Sequence, residues 1–350
     1  MLRFYLTIDT ELSADHFSRF GRAGLEANLA SSIWGRTAKG DFGIGHTMDV
    51  LERHGMRGVF FVDPLPALVW GTDVIKRIVH PIVDRGHDVQ LHAHTEWLAF
   101  SQRSPVGGRT GRNIGDFSLS DQRVILSLAR DFLVAAGAPE PVAFRAGNYG
   151  ANDDTLRALA TIGISHDSSL TPGIARSDCA INLSADVIDP IEHCGVVEVP
   201  ISAIEQRGGR RRHAQLTALS AREILAAVDH AASRGAQQFT LVSHSFELMC
   251  RQRRVLNCIV ARRFEAMCRG LAARDHVRSG TYAAHPPCAV AAGARPTLLR
   301  GGVVQTALRN LEQAASNLMF GEWRPSPMAS GRRRPGDSGR RKVALASRQS

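Results

Sequence analysis

The chain has 350 residues, 44% of them hydrophobic, and a formal net charge of +10. That is enough apolar material for one large or two ordinary cores. Six cysteines stand without a Cys-x-x-Cys pair, which argues against a zinc finger, a thioredoxin-type motif or a disulfide framework. The opening MLRFYLTIDTE meets an acid by position 9 and lacks a secretory apolar region. No apolar run approaches the roughly 18–20 residues needed to span a bilayer, so a cytoplasmic protein is expected. Residues 331–350 hold seven Arg/Lys against one acid. They read as a disordered basic tail able to touch an anionic membrane surface. No interleaved aromatics suggest base stacking, so no specific nucleic acid is expected.

In chain order, residues 2–9 form an apolar run ending on an acid, the first expected strand. Residues 10–42 show no clean period and read as a long loop with one helix at 23–33. An amphipathic helix is predicted over 44–54, a buried strand at 58–62 and a helix at 74–84. A strand from 88 runs into His92. After a Gly/Arg-rich loop at 101–117 come a helix at 120–136, a strand at 142–145, a helix at 153–162 and short strands at 163–167 and 196–199. Ser220 and Glu223 have capping-box spacing for a helix to 233. A strand at 238–243 ends at His244, and a helix follows over 254–272. Residues 1–275 are expected as one unit. Residues 276–350 are expected as a Gly/Pro/Arg-rich extension, largely disordered, with a helix at 307–320.

Seven short strands alternating with helices argue for a parallel α/β architecture, in whose barrels the chemistry sits at the C-terminal strand ends. The residues at those ends are Asp9, Asp63, His92, Arg145, Asp167 and His244. In extended backbone, alternate side chains share a face, so His92 and His94 can aim at one point. Paired imidazoles suit a Zn²⁺-type ion, and Glu11, two residues after Asp9, can supply a carboxylate. Asp9, ion-paired with Arg145, can serve as a general base, and His244 as an acid for a leaving group. Each also has a plainer reading: polar residues entering a loop, a structural ion pair, a core histidine. Trp97 and Phe246 flank these positions and can pack a substrate face or plain core.

Asp9-Thr10-Glu11, GHDVQLHAHTEW, FRAGNYGAN and LVSHSFEL, in this order, resemble the polysaccharide deacetylase family (carbohydrate esterase family 4, with the nodulation-type deacetylase domain) over residues 2–270. The resemblance implies a distorted (β/α)₇ barrel and a divalent metal, usually zinc. It also implies removal of acetyl groups from N- or O-acetylated sugars. It places Asp9 as base, Arg145 as the residue orienting it, Tyr149 at the oxyanion region, Asp167 as the acid tuning the catalytic histidine, and His244 as that histidine. Two positions depart from the family pattern. Thr10 stands where a metal-binding aspartate is common, so Glu11 must substitute, and the His-x-x-x-His motif becomes His-x-His with Glu96 at the fourth place. His94 is favoured over Glu96 as the ligand. The expected substrate is an acetylated sugar of a glycan or glycolipid precursor. The rival readings are a catalytically degenerate carbohydrate-binding relative and another metal-dependent amide hydrolase.

Overall fold

The computed structural model describes residues 1–174, 177–290 and 297–320. Among these, seven parallel strands make up the barrel: Leu2–Thr10, Val59–Val62, Asp88–Ala93, Ala143–Ala146, His166–Asp167, Val196–Glu198 and Gln238–His244. They are called here the first to seventh barrel strands. The seventh pairs with the first, and the others follow in chain order. Among the described residues, no continuous ladder joins the sixth to the seventh. The seam is closed by the segment between them: Ser202 N–H donates to Thr240 O at 3.0 Å, Val242 N–H to Ala214 O at 2.9 Å, and Leu216 N–H to Val242 O at 3.2 Å. Irregular chain at one seam distorts the (β/α)₇ barrel. Ile191–His193 adds an antiparallel partner to the sixth strand.

Alternation in the first strand divides its residues between two environments. Leu2, Phe4, Leu6 and Ile8 join the large core, together with Phe60, Val62, Leu91 and Phe144. Tyr5 instead joins a small cluster of Val59, Phe61, Ala143, Val199 and Tyr282, the barrel interior. Asp9 lies two pleats beyond Tyr5 on that inner face. Most of the other inner positions are polar and buried, among them Asp88, Gln90, His92, Arg145 and Thr240. Buried polar groups need partners, and these five have them. Gln90 Oε1, for example, accepts from the N–H groups of Val142 and Ala143 at 2.9 and 2.8 Å.

Several helices form as the sequence predicts. Asp73–Val83, Leu119–Ala135, Asp153–Thr161 and Ala221–Ser233 cover the sheet, the last with Ser220 and Glu223 in a complete capping box. The region 10–42 differs from the expectation. A helix at Ala14–Phe20 precedes the expected one because Ser13 caps it, accepting from His16 N–H. The expected helix at 23–33 is instead broken into 3₁₀, α and π turns.

Beyond residue 275 the packing continues. Val277–Ser279 pairs with the first strand. Tyr282 packs against the rings of Tyr5, Phe61 and His166, and its N–H donates to Asp88 at 2.7 Å. The helix Val303–Phe320 includes the one expected at 307–320. The basic tail falls outside the described residues.

Candidate active site

Strand register assembles the site. Asp9 is opposite His244 on one side and Phe61 on the other, and His92 is opposite Arg145. Arg145 is fully buried, and its Nη1 donates to Asp9 Oδ1 at 2.6 Å. Ser168 holds the rest of its guanidinium, with the carbonyl at 3.0 Å from Nε and Oγ at 3.1 Å from Nη2. Phe61 lies 4.4 Å beneath the cation. So enclosed, Arg145 fixes the position of the Asp9 carboxylate. Removing either partner would leave a buried charge unpaired, a cost of roughly 3–5 kcal/mol.

Glu11, His92 and His94 bring one ligand atom each to within 4.8 Å of one another. His92 Nδ1–H donates to the Arg145 carbonyl at 2.7 Å, which turns Nε2 toward Glu11 Oε2, 3.4 Å away. His94 Nε2 meets the same oxygen, and its Nδ1 lies 3.3 Å from Glu96. Glu96 therefore stands behind His94 rather than beside His92, and Asn148 Nδ2 holds its other oxygen at 3.0 Å. Gly147 makes this approach possible, since a Cβ there would come within 2.8 Å of the His94 ring. Burial disfavours the charged forms of Glu11 and His94. Their mutual attraction outweighs it, holding Glu11 well below and His94 well above the usual values. Two imidazoles and a carboxylate, each imidazole braced through its second nitrogen, are a donor set that fits zinc or a similar divalent ion.

His244 forms the opposite wall, on the seventh strand. Its N–H donates to Glu247 Oε2 at 2.9 Å, and its Nδ1 lies 3.5 Å from the same oxygen. Burial lowers the imidazole pKa, but Glu247 first, then Asp9 and Glu11, raise it to about 9. Glu247 is in turn held by Gln215 Nε2 at 2.8 Å and by the N–H and hydroxyl of Thr217. Sequence reasoning missed Glu247, although its signal is short: an acid three residues after the histidine in SHSFEL.

That geometry corrects the expected role of Asp167. Asp167 does not support His244. It accepts from the hydroxyl and N–H of Ser169, both at 2.9 Å, and pairs with Glu198. Burial and the neighbouring acid hold the Glu198 pKa well above normal. Trp97 is corrected as well. It is fully buried and packs at 5.5–6.0 Å against Trp70, Phe17 and Phe100, so it backs the cleft wall rather than lining the cleft. Tyr149 follows the fourth strand with φ of 58°, after Asn148 at 55°. Burial and then the Asp9 charge push its phenol pKa up. Asp63, at the end of the second strand, is buried with Oδ2 unpartnered among the described residues. Desolvation raises its pKa to about 6.

A cleft of about 720 Å³ opens over Glu11 and His94, and a hollow of about 490 Å³ opens over His244 and Glu247. Phe246 and Arg253 line both, with the guanidinium 3.6 Å over the Phe246 ring. Asp153, His193 and Cys194 form a second cluster of ligand-type groups. They are half-exposed and lie on the helix and edge hairpin beyond the fourth strand, where His193 simply bonds Asp153 at 3.0 Å.

No protein-family model and no curated protein matches the chain. Among solved structures, a Mycobacterium smegmatis protein crystallised as a candidate polysaccharide deacetylase is similar over 81% of this chain and 87% of its own, at 18% identity and a TM-score of 0.50. The family 4 carbohydrate esterase from Streptomyces lividans, solved with acetate, is similar over 83% of this chain and 98% of its own, at 12% identity and a TM-score of 0.38. A 4-alpha-glucanotransferase from Thermococcus litoralis is similar over 81% of this chain and 39% of its own, at 11% identity and a TM-score of 0.49. The chain has the fold of the polysaccharide deacetylases.

Proposed function

We propose that this protein is a metal-dependent deacetylase of the carbohydrate esterase 4 kind, removing an acetyl group from an N-acetylated sugar of a glycan or glycolipid precursor. One observation carries the reading. The zinc-type donor set Glu11, His92 and His94 opens on the same barrel mouth as a buried Asp9–Arg145 pair and a His244 kept charged by Glu247. A pure binding protein has no use for a positioned base facing a positioned acid.

A zinc ion held by those three ligands would polarise the acetyl carbonyl and acidify a water. The chain's own residues do the rest. Asp9, fixed by Arg145, takes the proton from the attacking water. His244, charged at neutral pH, gives its proton to the departing sugar amine. Tyr149 lines the oxyanion side. Phe246, with Arg253 across its ring, offers a flat face against which a sugar ring can lie.

The test compares wild type with Asp9→Asn, both loaded with zinc and offered N-acetylhexosamine oligomers. About one zinc per chain in both, with acetate release reduced by about 10²–10⁴-fold in the variant, is the expected result. A wild type that takes up no metal would sink the reading.

A further inference from the structure

The helix Val303–Phe320 is built inside out. Its polar side faces the protein: Arg309 is buried and reaches Glu223 at 3.2 Å, Glu312 accepts from Arg263 at 2.8 Å, and Ser316 accepts from Asn257 at 2.8 Å. Its apolar side faces outward. Val304, Leu308, Leu311, Ala315 and Leu318 follow one another at alternating spacings of four and three residues, which is a single stripe of an α-helix. Val304, Leu311 and Leu318 are 72%, 67% and 84% exposed. A helix docked on a globular body ordinarily turns such a stripe inward, because that is where hydrophobic burial is gained. Here ion pairs and hydrogen bonds hold the polar side down, and the stripe is left for something else.

We propose that this stripe seats the protein on an anionic lipid bilayer. Two observations choose the bilayer over a second copy of the chain. The exposed side of the helix carries no Asp, Glu, Lys or Arg, whereas self-pairing seams normally set register with charges along their flanks. Residues 321–350, which follow directly, hold eight Arg/Lys against two acids. Such a segment repels its own kind and is drawn to anionic headgroups. An apolar face plus a polybasic run is the two-signal combination that gives stable surface anchoring. The helix lies on the surface rather than crossing it, since no helix among the described residues is long and apolar enough to span. The inference stands apart from the catalytic reading.

The experiment is co-sedimentation of the full chain with vesicles of phosphatidylcholine alone and of phosphatidylcholine with phosphatidylserine. Binding to the anionic vesicles that weakens with salt is expected. Leu308→Gln/Leu311→Gln should weaken it by roughly tenfold or more, with the thermal melt unchanged because both side chains are exposed. Removing residues 321–350 should abolish the preference for phosphatidylserine. Equal binding by the Gln variant, or none by wild type, overturns the proposal. A wild-type dimer in light scattering that the Gln variant converts to monomer, without vesicle binding, would overturn it in favour of a self-pairing seam.

Discussion

The two walls of the cleft are supported by different physics. The metal-side wall of Glu11, His92 and His94 rests on strand register and runs on into the turn Thr95–Phe100, whose Trp97 and Phe100 pack in an apolar cluster with Trp70 and Phe17. The proton-side wall rests on polar contacts, with Glu247 folded back by a tight turn onto His244 and clamped by Gln215 and Thr217. Apolar packing fixes where a side chain is. A buried carboxylate also fixes its charge. Damage to the first support should therefore read out as stability, and damage to the second as altered proton chemistry.

The largest effect is expected where the metal-side wall loses a ligand. His94→Gln removes an imidazole and frees Glu11 from its pairing. Metal content should fall by about 10–100-fold, the loss typical even for weaker perturbations of such sites, and acetate release should fall with it. Metal analysis after dialysis checks this. Full zinc retention in that variant would mean that Glu96 or Asp63 can take the place of His94.

A smaller and differently shaped effect is expected on the other wall. His244 has a raised pKa, so its charged form, and any activity that needs it, persists through neutrality and is lost as pH rises through about 9. Glu247→Gln keeps the shape and removes the principal cause. The alkaline limb of kcat should then move toward the ordinary histidine value near 6.5, with metal content unchanged. The stability contribution has the same sign: full below the unfolded-state pKa, lost as pH rises through the folded one. An alkaline limb that stays near 9 in Glu247→Gln would assign the shift to Asp9 and Glu11 instead.

The same contrast explains what could be read from the chain alone. Several of the barrel strands are short, largely apolar runs, and the charged residues that end them (Asp9, His92, Arg145, His244) are conspicuous because polar groups seldom follow such runs without a task. Period-2 alternation then puts Glu11 and His94 on one face with their strand ends, and the fold brings them together with His92. Glu247 is different. Its partners Gln215 and Thr217 come from the irregular seam segment, some thirty residues away, and nothing local announces them. Asp167 looks equivalent to the other strand ends, and only three-dimensional packing shows that its partner is Glu198. Trp97 is ambiguous for a general reason: an aromatic beside a catalytic histidine reads the same whether it faces the cleft or backs its wall. Tyr282 closes the barrel interior from a Gly/Pro-rich stretch that has no periodicity to read.

The smallest effect expected on catalysis comes from the apolar support. Trp97 is fully buried, and its indole N–H has no partner among the described residues. Trp97→Phe removes volume, which destabilises, but it also removes an unpaired buried donor, which was itself unfavourable. The two changes partly cancel, so a loss of about 1 kcal/mol or less is expected, against roughly 3–5 kcal/mol for Trp97→Ala. Phe100, the member of the cluster that lines the cleft, keeps its place against Phe17. KM and the pH profile should therefore stay at their wild-type values in Trp97→Phe, while denaturant melts shift slightly. A rise in KM without a change in stability would contradict the placement of Trp97 behind the wall and return it to the substrate face.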